Sequence, residues 1–216
     1  MLFRSDIMPV SRRLELVNYS AAHGSLVIED DFENEFVYLQ KPTPSLFGLA
    51  GGQNVVYLGT FSRLLLPSIR ISFMVLPPEL SALYRKKADQ YNQTASKAEQ
   101  IALCQFIRDG HLAAQTRKLK RLYSVKLKAL RSAVREVFGK DSQIQTGAAG
   151  TSLALTLSTT LTWQELQKKA QTNGLRLQLL REAPGKITLI LSCSSMPVAD
   201  FVPACKLLKN ISQIQN

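Results

Sequence analysis

The segment Val55–Leu80, VVYLGTFSRLLLPSIRISFMVLPPEL, constrains the fold more than any other. Two apolar runs, Val55–Leu58 and Ile71–Leu76, flank a stretch holding Gly59 and Pro67, and Pro77-Pro78 stops the second run. Short apolar runs closed by Pro and Gly predict strands of an α/β sheet, because a proline has no N–H to give to a ladder. Ser25–Ile28 predicts a further short strand that runs into Glu29-Asp30-Asp31. Those acids then sit at or just past the strand's C-terminal end, where α/β sheets gather their ligands.

Helices surround these strands. Ser11 is a plausible N-cap for a helix to Ala22, with Leu14, Leu16, Val17 and Ala21 behind it and Gly24 as its stop. Residues 40–54, with Pro42, Pro44, Gly48, Gly51 and Gly52, read as loop. Helices are predicted over Pro78–Tyr91, Lys97–Asp109 and His111–Phe138. Beyond them come a strand in TSLALTLSTT and a helix Trp163–Asn173 capped by Thr162 and closed by Gly174. Strands at Leu175–Leu179 and Ile187–Ser192 and a final helix Pro197–Lys209 complete the reading.

The chain of 216 residues has mean hydropathy −0.02 and 45% hydrophobic residues, enough for a sizeable core. No apolar run is long enough to span a membrane, and the N-terminus lacks a signal peptide's apolar stretch. Cys104, Cys193 and Cys205 are scattered thiols that suit a reducing, cytoplasmic setting rather than a disulfide framework. His23 and His111 are too few and too far apart in sequence to suggest a metal site or a Ser-His-Asp triad. Net charge is +11, and between Arg117 and Arg135 eight Lys and Arg residues occur without an acid. Leu119, Tyr123, Leu127, Leu130, Val134 and Phe138 form one apolar helical face there, so most of the cations occupy the other. A solvated face is the default reading and an anion-binding stripe the sharper one.

Four blocks carry a family resemblance: MPVSRRLEL, VIEDDFENEF, the Val55–Leu80 segment and ASKAEQIALCQFIRDGHL. Together they resemble the aminotransferase-like half of MocR/GntR-type transcriptional regulators, which join a winged-helix DNA reader to a pyridoxal 5'-phosphate domain of aminotransferase fold type I. The likeness runs from about Met8 onward and is densest up to about Arg121. It implies an α/β architecture in which residues 1–80 form part of the large domain, with a few sheet strands. Residues 81–110 are then interdomain helices, and a long helix leads into a small α+β C-terminal domain over 111–216. It also implies that the chain starts inside the large domain, without the winged helix, the phosphate-cradling glycine loop or the ring that stacks on the cofactor. A truncated product, a separately encoded half or one piece of a longer chain would all fit.

The resemblance assigns site residues. Asp30 matches the aspartate that pairs with the pyridine nitrogen, with Asp31 the fallback for a register one residue off. Phe32 stands where the family has a tyrosine whose hydroxyl meets the cofactor's phenolic oxygen. Ser62 and Arg70 match positions that contact the cofactor phosphate, chemically sensible for a hydroxyl and a guanidinium. Arg63 occupies the Schiff-base lysine position. Covalent attachment needs a neutral amine, and a guanidinium with a pKa above ~12 stays charged and has no primary alkylamine to offer. The family's substrate-carboxylate arginine is also missing, with Ser194 nearest in register.

The expected function is therefore an aminotransferase-like effector domain without transaminase activity, a pseudoenzyme left with ligand sensing or subunit contact. Pyridoxal 5'-phosphate is the cofactor by resemblance, and covalent attachment is not expected. The expected partners are a second copy in a homodimer, or a partner half-domain, with DNA met only through a winged helix outside this chain. No membrane or metal partner is expected. An enzyme using another lysine, such as Lys41, Lys86, Lys87 or Lys97, is the alternative. A third reading has the Arg117–Arg135 helix bind nucleic acid directly, although it carries no reading motif and only Tyr123 among its cations.

Overall fold

A computed structural model describes residues 8–31, 43–62, 64–139, 142–146, 150–194 and 196–212. They divide into two compact units, one up to Leu119 and the other from Lys120 onward. The break falls inside one long helix.

The first unit holds α1 (Val10–Ala22), β1 (Val27–Asp30), α2 (Leu46–Leu49), β2 (Val55–Thr60) and β3 (Ser72–Val75). It continues with α3 (Pro78–Lys87), a 3-10 turn at Ala88–Gln90, α4 (Lys97–Arg108) and the start of α5 (His111–Phe138). Its sheet has the order β1-β2-β3, with β1 parallel and β3 antiparallel to the central β2. Val55, Val56, Leu46, Leu64, Ile71 and Leu103 are its buried apolar residues, whereas β3 is exposed throughout.

Two boundaries differ from the sequence reading for tertiary reasons. α1 starts at Val10 with Pro9 in the cap position and no side-chain cap bond, so Ser11 lies inside the helix. β1 begins at Val27, whose N–H donates to the Asn54 carbonyl at 2.9 Å, and extends to Asp30. Pairing with β2 sets its ends, so Glu29 and Asp30 belong to the strand itself. The apolar run alone could not show this. Single-turn α2 lies in a segment read as loop. Ser45 Oγ accepts from Gly48 N at 3.0 Å, and both Glu29 carboxylate oxygens accept from the next two free N–H groups, at Leu46 and Phe47. Arg13 Nη1 completes the arrangement at 2.9 Å from Glu29 Oε1. A local cap, Ser45, and a distant acid, Glu29, together hold that turn.

The second unit holds the rest of α5, β4 (Gln143–Thr146), β5 (Ser152–Ser158), α6 (Trp163–Thr172), β6 (Gln178–Ala183) and β7 (Lys186–Ser192). A 3-10 turn at Val198–Asp200 leads into α7 (Phe201–Ser212). Its four strands are antiparallel in the order β4-β5-β7-β6. One core joins Leu127, Leu130 and Val134 of α5 to Leu153 and Leu155 of β5, Leu166 of α6, Leu189 of β7 and Phe201 of α7. The apolar period of α5 places these residues on one face, as its sequence predicts. Thr162 and Glu165 form a reciprocal capping box on α6. The Thr162 backbone N–H, and after it the hydroxyl, holds the Glu165 carboxyl below its ordinary pKa. β6 starts three residues later than predicted. Leu175 N is still committed to the Ala170 carbonyl at 2.8 Å, closing α6, and the ladder with β7 begins at Gln178. β4 has no counterpart in the sequence reading. No described helix is long and apolar enough to cross a membrane.

Candidate functional site

The first unit's sheet sorts the three consecutive acids onto different faces. Side chains alternate along a strand, and parallel pairing puts partners on the same face. Glu29, opposite Tyr57, is only 9% exposed and is consumed by Arg13 and the α2 N-terminus. Asp31 accepts a hydrogen bond from the Tyr57 hydroxyl, on that same face. Asp30, opposite Leu58, points the other way and is exposed. Two of the acids are therefore structural and one is free to meet a ligand. Asp30, not the fallback Asp31, is the acid that lines a cavity.

That cavity has a volume of about 290 Å³ and is lined by Asp30, Leu58, Gly59, Thr60, Ser72, Phe73 and Met74. Antiparallel register sets Leu58 opposite Met74 and Thr60 opposite Ser72, so a carboxylate, two hydroxyls and two apolar side chains share one wall. The strand behind this wall needs Gly59. Phe73 lies flat over it, and a Cβ at that position would come within 2.4 Å of the Phe73 ring. Phe73 in turn packs its ring against Phe61 at 5.2 Å between centroids.

The β2–β3 connection extends this wall. Phe61 N donates to the Ile71 carbonyl at 3.2 Å, one step past the last ladder pair, Thr60 with Ser72. Ser62 Oγ donates to the Ile69 carbonyl at 2.6 Å and accepts from Thr60 Oγ1 at 3.3 Å. Arg70 is exposed and has no ion pair among the described residues. Phe32 and Arg63 lie outside the described residues, as does Lys41. The sequence reading missed Thr60 and Ser72 as lining residues. The period-two alternation that picks out Asp30 also marks Thr60, two steps from Leu58.

Ser194 lies in the other unit. Its carbonyl accepts from Lys126 Nζ at 3.0 Å, and its hydroxyl sits 2.8 Å from that of Ser192. This bond ties α5 to the segment just past the end of β7. The neighbouring Cys193 thiol is fully buried and donates to the Thr151 carbonyl at 3.1 Å; burial pushes its pKa up.

Among solved structures, the fold matches the α-aminoadipate aminotransferase LysN of Thermus thermophilus with a TM-score of 0.73 at 24% identity. That match covers 94% of this chain and 54% of the enzyme's. A multiple-substrate aminotransferase of Thermococcus profundus matches with a TM-score of 0.76 at 22% identity, covering 96% of this chain and 53% of its own. The architecture is thus that of a fold type I aminotransferase, spanning about half of such a chain. In sequence the chain is 32% identical over 207 residues to the HTH-type transcriptional regulator YdeL of Bacillus subtilis (strain 168), covering 94% of this chain and 45% of the regulator. It is 30% identical over 174 residues to the probable rhizopine catabolism regulatory protein MocR of Rhizobium meliloti, covering 81% of this chain and 35% of that protein. The chain belongs with the MocR/GntR-type regulators and corresponds to their aminotransferase-like part. It spans less than half the length of these relatives. No protein-family model matches it.

Proposed function

We propose that this chain is the effector part of a MocR-type regulator, a non-catalytic domain that holds pyridoxal phosphate or a related ligand without a covalent bond. The observation that carries the reading is the isolation of Asp30 on the cavity wall, with Glu29 and Asp31 turned into structural bonds on the opposite face. Pyridoxal phosphate, when bound, supplies an electron-withdrawing ring. Asp30 is the carboxylate that would hold a proton at the ring nitrogen. Ser62 and Arg70, both in the β2–β3 connection, would meet the phosphate; Arg70 has its guanidinium uncommitted among the described residues. The cavity's volume of about 290 Å³ falls just short of the range of about 300–1,000 Å³ usual for small-ligand sites.

Arg63 decides the chemistry in this reading. It can attract an anion, but it offers no neutral amine, so no covalent attachment forms there. Lys86, Lys87 and Lys97 are exposed on α3 and at the start of α4, and none is among the described cavity-lining residues. That weighs against the alternative of an aminotransferase using another lysine. Ligand sensing, subunit contact in a homodimer and coupling to a winged-helix reader are the roles that remain.

The test is titration with pyridoxal phosphate, read by absorbance, then borohydride reduction and peptide mapping. The expected outcome is no fixed label on the wild-type chain and a label at position 63 in Arg63→Lys. Asp30→Asn should weaken noncovalent binding. A labelled lysine in the wild type would overturn the reading.

A further inference from the structure

α5 carries a line of cations that the ligand site does not use. Arg121, Lys128, Arg131 and Arg135 follow one another at spacings of seven, three and four residues. At 3.6 residues per turn these spacings keep all four within a strip about 80° wide, extending about 21 Å along the helix. All four are exposed, and none is in an ion pair among the described residues. Leu127, Leu130, Val134 and Val137 bury the far side of the same helix against the sheet, so the strip faces outward. Between Asp109 and Glu136 the sequence holds no acid to neutralise it. Lys126, which does find a partner in the Ser194 carbonyl, lies about half a turn from the strip. The separation is by face: the lysine on the packed side is bonded and the outward cations are left to solvent.

A solvated helix normally mixes signs, because i,i+4 pairs of opposite charge stabilise it and like charges at that spacing oppose it. Arg131 and Arg135 stand four apart, and Lys128 and Arg131 three apart. Such a like-charged line is mildly unfavourable in the free helix and is relieved by a facing array of negative charge. Three of the four are arginines, whose forked donors suit phosphate oxygens. We infer that this face of α5 binds the phosphate backbone of duplex DNA without reading its sequence. The choice of DNA as the polyanion rests on the regulator reading above. It adds a contact to the sequence recognition expected of a winged helix. The strip carries no Asn or Gln to read adenine, and its cations are assigned to phosphate rather than to base edges.

The test uses the whole chain, a labelled 30-base-pair duplex of random sequence and fluorescence anisotropy across salt, without pyridoxal phosphate, so that failure here leaves the ligand reading intact. Four phosphate contacts predict a slope of log K against log salt near −3.6, or about a 100-fold loss of affinity between 50 and 200 mM. Lys128→Gln alone should flatten the slope by about one. The combined Arg121→Gln, Lys128→Gln, Arg131→Gln and Arg135→Gln variant, its folding checked by circular dichroism, should abolish most of the salt dependence. A matched variant with Lys168, Lys169, Lys186 and Lys206 each changed to Gln should keep it. No binding at 50 mM salt would overturn the inference. So would equal losses in the two quadruple variants, or tighter binding to vesicles containing phosphatidylserine than to the duplex.

Discussion

The two sheets of this molecule are built to opposite ends. The four-stranded sheet has one face fully packed: Leu153 of β5 and Leu189 of β7 have no exposure, and side chains from α5, α6 and α7 complete the same core. The three-stranded sheet leaves one face open. Ile28 is 65% exposed and Met74 55%, and that open face carries the cavity with Asp30. Its other face is organised by polar bonds, Glu29 to Arg13 and α2, and Tyr57 to Asp31. Stability in the second unit thus comes from apolar burial. In the first unit a larger share is directional, which leaves room for a polar site.

Core truncation should separate the units most strongly. Leu189→Ala is expected to cost about 2–5 kcal/mol in chemical denaturation, because it removes buried methylenes and leaves a cavity. Ile28→Ala or Met74→Ala on the open face should cost no more than about 0.5 kcal/mol. Equal losses would erase the distinction drawn between the sheets.

Glu29→Gln comes next. It leaves Arg13 without its carboxylate and weakens the α2 cap, with an expected cost of about 2–3 kcal/mol. Hydrogen exchange should show faster opening at Leu46 and Phe47 while the second unit's amides are unchanged. Unaltered exchange there would show that α2 does not depend on this acid.

Gly59→Ala should destabilise the three-stranded sheet by about 1–3 kcal/mol, because its Cβ would collide with the Phe73 ring. Adding Phe73→Leu should recover part of that loss in a double-mutant cycle. Strict additivity would remove the ring as the cause.

The smallest effect concerns thiols. Cys205 is buried beside Glu136, and desolvation first, then that charge, pushes its pKa up to about 11. A folded pKa raised above the unfolded value of about 8.5–9 means that the unfolded chain binds fewer protons between the two. The contribution is fully present below about pH 8.5 and is lost as pH rises toward 11. Denaturation midpoints should therefore fall across that window, and fall less in Cys205→Ala. At pH 8 a disulfide reagent should titrate exposed Cys104 alone, and Cys193 and Cys205 only after unfolding.

Much of this was written in local sequence. The bounds of α5 follow from its apolar period, and the start of α6 from Thr162 with Glu165 three residues on, because both signals act within a few turns of one helix. The three strands of the first unit and the family resemblance were equally legible, as was the run of cations on the far side of α5. What the sequence left open was whether Asp30 or its fallback Asp31 meets the cavity. A one-residue shift in strand register exchanges the faces, and the register of β1 is fixed by its ladder with β2, not by its own residues. The Glu29 bond to helix α2 and the Phe73 cover over Gly59 likewise depend on groups 14 to 18 residues apart in the chain. Local chemistry chose the elements; long-range pairing chose which side chains face the ligand.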